Sequence, residues 1–259
     1  MIEVQGLSKH FSVRERGFAL ALKQKTRTVT AVDNVSFTAN DNEVTGLLGP
    51  NGAGKTTTLR MLSTLLTPDA GQVRIDGADL ARERARVRTT LGVLGDAKGL
   101  YWRLTARENI AYFGKLQGLS GAEANRRADT LMDELGLREL ADRPTQGFSQ
   151  GERMKVAIAR ALVHNPQTVL LDEPTNGLDI MSTRSMRELI RGLKALGKCV
   201  LFSSHIMQEV AALCDRIVII NKGAVIFSGT PAEVLQTTGL DSLEDAFVKL
   251  IGSDEGLFA

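Results

Sequence analysis

The sequence predicts an α/β protein in which a block of helices interrupts a strand-rich core. Three observations carry this expectation. Short apolar runs of strand length recur in the first third of the chain, the stretch 105–163 holds helical patterns without strong strand signals, and strand and helix patterns alternate again after it. At 259 residues, 43% apolar and 24% charged, the chain is long enough to bury most of its apolar surface without disulfides or a structural metal. No apolar run approaches the ~18 residues of a membrane helix and no signal-peptide core opens the chain, so the expectation is a soluble, cytoplasmic protein. A net charge of +2, from 32 basic and 30 acidic side chains, argues against bulk nucleic-acid binding. One Trp and two Tyr leave little for a base-stacking platform.

Taken in order, residues 1–8 alternate as an edge strand does. Residues 11–30 read as an insertion, with Arg14, Arg16, Lys23, Lys25 and Arg27 around Phe18, Leu20 and Leu22. Residues 31–37 and 43–48 read as strands, 49–54 as a Gly-rich turn, and 56–66 as a helix stopped before Pro68. A short strand is expected at 71–75, helices at 128–135 and 153–163, and an apolar strand at 168–171. Helix 181–196, strand 199–203, helix 207–213 and two strands at 217–220 and 225–228 follow. In the tail after Pro231, Leu243, Phe247, Leu250 and Ile251 share one helical face. Cys199 and Cys214 stand outside any Cys-x-x-Cys spacing and read as small core residues of a reducing compartment.

Two stretches carry chemistry. Gly49-Pro50-Asn51-Gly52-Ala53-Gly54-Lys55-Thr56 fits the phosphate-binding loop G-x-x-x-x-G-K-[ST] and sits between an apolar strand and a helix, as that loop must. The glycines let backbone N–H groups turn toward phosphate oxygens, and the helix N-terminus adds a partial positive charge. Lys55 can reach the β- and γ-phosphates, and the Thr56 hydroxyl can ligate Mg²⁺. The alternative, an incidental Gly-rich turn, needs a chance match of roughly one in a hundred for a chain of this length. Downstream, Asp172 and Glu173 end the apolar strand 168–171, so Asp172 can hold the Mg²⁺ shell while Glu173, pointing the other way, can orient or deprotonate water. The alternative for the pair taken alone, a solvated strand end, is the weaker reading.

At these residues the chain resembles the ATP-binding cassette (ABC) ATPases. Asp172-Glu173-Pro174-Thr175-Asn176-Gly177-Leu178-Asp179 is similar to the family's second nucleotide motif and the D-loop after it. Phe148-Ser149-Gln150-Gly151-Glu152 stands where its signature loop does, and His205 matches its switch histidine. The resemblance covers about residues 1–230. It implies a P-loop NTPase core with an antiparallel β subdomain and an inserted α-helical signature subdomain at about 96–163, in a cassette spanning 1–235 with a helical tail at 236–259. It further implies ATP and Mg²⁺ as cofactors, and a head-to-tail dimer in which Ser149 and Gly151 contact the γ-phosphate of the partner's ATP. Asp179 would touch the other subunit, Thr57 the α-phosphate, and His205 the γ-phosphate or the attacking water. Gly49, Asn51, Gly52, Ala53, Gly54, Lys55 and Thr56 would line the nucleotide, with Lys55, Glu173 and His205 carrying hydrolysis. His10 and His164 have no such context.

The chain departs from the family pattern in three places. Its signature reads Phe-Ser-Gln-Gly-Glu in place of Leu-Ser-Gly-Gly-Gln, which puts a charge, Glu152, near the site. Asp96 stands where the family's Q-loop glutamine falls, either as a water-mediated Mg²⁺ ligand or as a plain loop residue. The insertion displaces Phe11 from the usual spacing of the adenine-stacking aromatic; Phe11 is the better candidate and Phe18 the alternative.

The stretch 99–110, with Leu104-Thr105 and Glu108-Asn109, looks like the exporter region that docks a membrane permease. Tyr101 and Trp102 suit such a surface; otherwise this is a helix start packed into its own core. The insertion either meets an anionic leaflet or permease loop, or is a solvated hairpin. Residues 178–184, 203–207 and 214–216 resemble the ATP-binding subunit of bacterial sodium-efflux transporters. The implied protein is a bacterial exporter ATPase at the cytoplasmic face of the inner membrane, peripheral through its permease, without nucleic acid as a partner. The rival is a soluble, non-transport ABC regulator of another macromolecule.

Overall fold

The computed structural model describes residues 1–14, 26–95 and 99–252. Two sheets organise the chain. The first is antiparallel, in the order β2-β1-β4-β5, from β1 (Ile2–Arg14), β2 (Thr26–Ala39), β4 (Ala70–Ile75) and β5 (Ala78–Asp79). The second runs β10-β9-β3-β8-β7-β6, from β3 (Val44–Leu48), β6 (Leu91–Leu94), β7 (Thr168–Leu171), β8 (Cys199–Ser204), β9 (Arg216–Asn221) and β10 (Ala224–Gly229). All its neighbours are parallel except β10 on β9. Strands covered on both faces need apolar side chains at nearly every position, and β3, β7 and β8 are buried at every residue.

Helix α1 (Lys55–Leu62) packs Leu59, Met61 and Leu62 into a core shared by both sheets, with Ile2, Val4, Leu7, Val35 and Ile75 from the antiparallel sheet and Leu47, Leu170, Leu201 and Val218 from the other. On the opposite face, α3 (Ala106–Leu116), α4 (Gly121–Glu134), α5 (Gln150–Leu162) and α6 (Ile180–Ala195) bury Ile110, Met132, Ile158 and Ile190 against Val169, Val200 and Phe202. A smaller cluster joins α7 (Met207–Leu213), α8 (Pro231–Thr238) and α9 (Leu243–Ile251) to Leu48, Ile217 and Ile219. The expected shared face of Leu243, Phe247, Leu250 and Ile251 packs there.

Several expectations change. Residues 1–8 do not form an edge: β1 lies between β2 and β4, and its pairing with β2 runs on to Arg14↔Thr26. The outer parts of the insertion are thus strand, with Phe11 opposite Val29, while 15–25 lie outside the described residues. Helix α1 ends four residues before the expected 66, because Thr64 turns to φ +62 and Ser63 closes the last turn onto Leu59. Helix α2 (Arg84–Thr90) and strands β5 and β6 add to the expected elements, as does α8, where only an undivided tail was expected. Cys199 is a buried core thiol as expected, while Cys214 is half-buried and packs against the core from its edge. Burial pushes Cys199 up to about 11 and Cys214 higher still, and the Cys214 sulfur packs on Gly46, where a Cβ would come within 2.6 Å.

Candidate active site

The parallel sheet assembles the site. Its strands β3, β7 and β8 run in register, Leu48 beside Ser204 and Leu171 beside Phe202. The loops that follow them therefore emerge on one edge, where ligands bind in open α/β sheets. Those loops carry Gly49–Gly54, Asp172–Asp179 and His205 respectively. The three sequence signals so converge through topology and not through sequence proximity.

The phosphate-binding loop is shaped by close backbone approaches. A Cβ on Gly49 would sit 2.2 Å from the Ile220 carbonyl oxygen. Gly54 lies at φ +106 with its Cβ position 2.5 Å from the Ala31 carbonyl, so both its conformation and its space require glycine. Ala53 is buried and accepts the Gly223 N–H at 3.0 Å, which ties the loop to the β9–β10 turn. Asn51 and Gly52 are exposed, Thr57 half-buried. Helix α1 starts at Gly54 with no side-chain cap, in contrast to α3, α4, α5, α6, α8 and α9. Its first-turn N–H groups face the loop as an anion site would require.

Lys55 is buried, and its Nζ donates to the carbonyls of Gly49 at 2.7 Å and Pro50 at 3.1 Å. Burial lowers its ammonium, while the charges of Glu173 and Asp172 act in the opposite direction. Thr56 donates from Oγ1 to Asp172 Oδ1 at 3.3 Å. These are hard oxygen donors of the kind Mg²⁺ takes while keeping most of its shell as water and phosphate oxygens. No group of three or more His, Cys, Asp or Glu side chains gathers as a metal cage among the described residues. Asp96, the third expected ligand, lies outside the described residues.

Glu173 does not continue the strand-like geometry expected for it, and it shares one cleft with Asp172. β7 stops at Leu171, and Glu173 takes φ +46, a left-handed conformation that costs of order 1–3 kcal/mol in a non-glycine residue. Ser203 holds it there: its Oγ accepts the Glu173 N–H at 2.9 Å and donates to Asp172 Oδ1 at 2.7 Å. Glu173 Oε1 then lies 4.0 Å from Lys55 Nζ and 3.4 Å from His205 Nδ1, while Oε2 accepts from Asn176 Nδ2 at 3.1 Å. A cleft of 520 Å³ opens here, lined by Thr56, Asp172, Glu173, Val93 and Gly95 among others. A larger apolar groove of 650 Å³, between α4, α5 and α6, contains none of these groups.

Neither Ser149 nor Gly151 lines the 520 Å³ cleft. Ser149 caps α5: its Oγ accepts the Glu152 N–H at 3.2 Å, and Glu152 Oε2 accepts the Ser149 N–H at 2.7 Å. The glutamate that departs from the family signature thus completes a reciprocal cap, which accounts for its charge near the helix start. Gly151 lies against Ser182, with a Cβ position 2.5 Å from the hydroxyl. Ser182 in turn donates to Asp179, the cap of α6, whose carboxyl is held below its usual range by the Ser182 backbone and hydroxyl bonds. Gln150 donates to the Asn176 carbonyl at 3.0 Å, joining the signature loop to the loop after Glu173. Phe11 is partly exposed, with the Lys9 ammonium 5.7 Å from its ring centre, and does not line the cleft either. His10 and His164 play local parts: His10 meets Thr30 Oγ1 and His164 the Leu91 carbonyl.

Sequence reasoning missed Ser203, Gln150 and Asn176. Ser203 carried a signal, a polar residue closing an otherwise apolar strand. Gln150 and Asn176 carried none beyond their neighbours. The Tyr101–Trp102 stretch is braced from within and exposed at its aromatic side chains. Asn109, fully buried, accepts the Tyr101 N–H and donates to the carbonyls of Tyr101, Leu104 and Thr105, and Thr105 with Glu108 forms a capping box. Tyr101 and Trp102 remain exposed on that braced loop.

The sequence model of the family described as ABC transporter matches residues 32–176. The chain is 47% identical over 227 residues to the ABC transporter ATP-binding protein NatA of Bacillus subtilis (strain 168), covering 87% of this chain and 92% of that protein. It is 38% identical over 214 residues to the linearmycin resistance ATP-binding protein LnrL of the same organism, covering 83% and 69%. A solved structure described as the ATP binding subunit of an ABC transporter matches with a TM-score of 0.81 at 31% identity, over 96% of this chain and 98% of that one. A dimeric ATP-binding cassette in a post-hydrolysis state, bound to ADP and Pi, matches with a TM-score of 0.76 at 26% identity, over 89% and 98%.

Proposed function

This chain belongs to the ABC transporter family and is an ATP-hydrolysing subunit of its exporter class; from that premise we propose that it works as a head-to-tail dimer energising a separate membrane permease. The observation that carries the proposal is the division of the site. Lys55, Thr56, Asp172, Glu173 and His205 gather at one sheet edge, while Ser149 and Gly151 sit at the start of α5 on the helical subdomain, bonded to or packed on Glu152 and Ser182, and would complete the site of a second copy. The α5 N-terminus, already capped by Ser149 and Glu152, would face the γ-phosphate across that interface.

In the closed dimer the uncapped start of α1 and Lys55 hold the phosphates. Thr56 and Asp172 would hold Mg²⁺, which supplies neutralisation of charge on the phosphate oxygens. Glu173 accepts the proton of the attacking water at Oε1 while His205 steadies the same water or the γ-phosphate. The water oxygen bonds to the γ-phosphorus as the bond to the bridging oxygen breaks, releasing ADP and phosphate and letting the dimer reopen. Tyr101 and Trp102 form the permease-docking surface. The protein would thus work at the cytoplasmic face of the inner membrane through that permease; no helix among the described residues is long and apolar enough to cross a membrane. Sodium efflux is the transport reading that the sequence resemblance favours.

Glu173→Gln tests the mechanism. It should bind ATP, lose hydrolysis by about 100-fold or more and accumulate an ATP-bound dimer on size exclusion. Near-normal turnover would remove Glu173 from its role. Co-purification from detergent-solubilised membranes, followed by efflux from vesicles with and without sodium, tests partner and cargo. Recovery without any multi-span protein would favour the soluble regulator.

A further inference from the structure

We propose that Glu209 is a positioning residue, which ties the loop carrying Glu173 to the loop carrying His205 and so holds the two as a pair. The inference rests on the reading above that Glu173 and His205 serve hydrolysis, and it assigns a part to a residue on neither loop.

Glu209 sits on α7 and is 2% exposed. Its Oε2 accepts two hydroxyl hydrogen bonds, from Thr175 Oγ1 at 2.5 Å and from Ser204 Oγ at 3.2 Å. Thr175 lies two residues after Glu173 and Ser204 immediately before His205, and both are buried. The Ser204 oxygen also accepts the Ile206 N–H at 3.0 Å, so one carboxylate oxygen braces the backbone on both sides of the histidine. On the other loop the Thr175 carbonyl accepts from Leu178, and Asn176 bonds back to Glu173. The two serines that end β8 divide the work. Ser203 grips Asp172 and Glu173 from one side, and Ser204 reaches Glu209 on the other.

The chemistry of the bracing group matters. A carboxylate only accepts, so both hydroxyls must point their protons at it, and the Ser204 lone pair is left facing the Ile206 N–H. Among the described residues Glu209 makes no ion pair, so its charge is buried with hydroxyl partners alone. If the position only filled space, an apolar side chain would do so without the cost of taking a carboxylate out of water. What the carboxylate adds is a fixed distance between two loops whose functional side chains stand 3.4 Å apart. Small misplacements in such a pair cost rate steeply, up to about a hundredfold for an ångström.

The test uses steady-state ATP hydrolysis by the full-length chain, with the thermal midpoint measured for each variant. Thr175→Val keeps shape and removes one donor. Glu209→Leu removes the acceptor, and Glu209→Gln keeps an oxygen able to accept from both hydroxyls. We expect Thr175→Val and Glu209→Leu to lower kcat by about tenfold or more with KM for ATP within about threefold, and Glu209→Gln and Thr175→Ser to recover most of it. Glu173→Gln is run alongside. If it is dead while Thr175→Val and Glu209→Leu keep kcat within twofold, the Glu209 inference alone falls. If the variants lose kcat only in step with thermal midpoint and KM, and Glu209→Gln does not recover it, Glu209 is a structural residue and the inference also falls. If Glu173→Gln turns over normally, the reading of Glu173 fails and this inference with it.

Discussion

Gly49 shows how a single absent side chain shapes the site. Its Cβ would meet the Ile220 carbonyl at 2.2 Å and the Ala53 methyl at 3.0 Å, and neither neighbour can swing away as a flexible side-chain tip can. Gly49→Ala must therefore push the loop off β9, and the loop is what seats Lys55, through the Gly49 carbonyl itself. The expected outcome is a loss of about 1–3 kcal/mol in urea unfolding, typical of overpacking, together with loss of ATP binding. By contrast Gly52 has no atom within 4 Å of its Cβ position. Its φ of +80 still disfavours alanine, so Gly52→Ala should lower stability by about 1 kcal/mol without displacing β9. Equal unfolding midpoints for the two variants would show that the contact with Ile220 is not what fixes the loop. Glu173 is the complementary case: a side chain kept in a left-handed backbone because Ser203 and Asn176 bond to it there.

Elements were legible in the sequence where one physical signal dominated. Strands β7 and β8 and helix α7 appear almost where they were expected, because continuous apolar runs and clear periodicity left no rival. Helix α2 was not legible, since it starts within the charged stretch 82–86 and buries only Val87. Helix α8 had a signal that went unread, Thr230 with Glu233 as a capping box and Pro231 in the first turn. The edge position expected for β1 failed because edge or centre is decided by partners far along the chain, here β2 and β4. The loop before α3 illustrates what an element needs beyond pattern. Asn109 accepts the Tyr101 N–H from a fully buried position, so Asn109→Leu would leave that N–H without a partner, while the carbonyls of Tyr101, Leu104 and Thr105 keep their bonds from Leu104, Thr145 and the Asn109 backbone. We expect a loss of about 1–3 kcal/mol in urea unfolding. Trp102, the single tryptophan, reports on the loop directly. Its emission should become more accessible to iodide in the variant, and unchanged quenching would mean that Asn109 does not brace the loop.

At the scale of the molecule, the phosphate-binding half of the site was legible from spacing alone, whereas the signature half became legible only through family resemblance. On the proposed head-to-tail reading the physical reason is that a phosphate-binding loop and its carboxylates act on a ligand within one chain, whereas the signature loop would act on a ligand held by the other copy. Nothing local marks Ser149 as more than a helix cap, and the fold uses it as one. If the reading of a shared interface is right, each site takes Lys55 from one copy and Gly151 from the other. Two-fold symmetry makes two such sites per dimer. Lys55→Ala and Gly151→Asp should then each abolish hydrolysis alone, the first by removing the phosphate contact and the second by driving a charged side chain into the space that Ser182 already occupies. Mixed in equal amounts, they should recover activity. Random pairing makes about half of the dimers mixed, and a mixed dimer has one site with both parts intact, so about a quarter of wild-type turnover is expected if the sites act independently. A site built within one chain would give no recovery at any mixing ratio, so an inactive mixture of two folded, dimerising variants would overturn the shared interface.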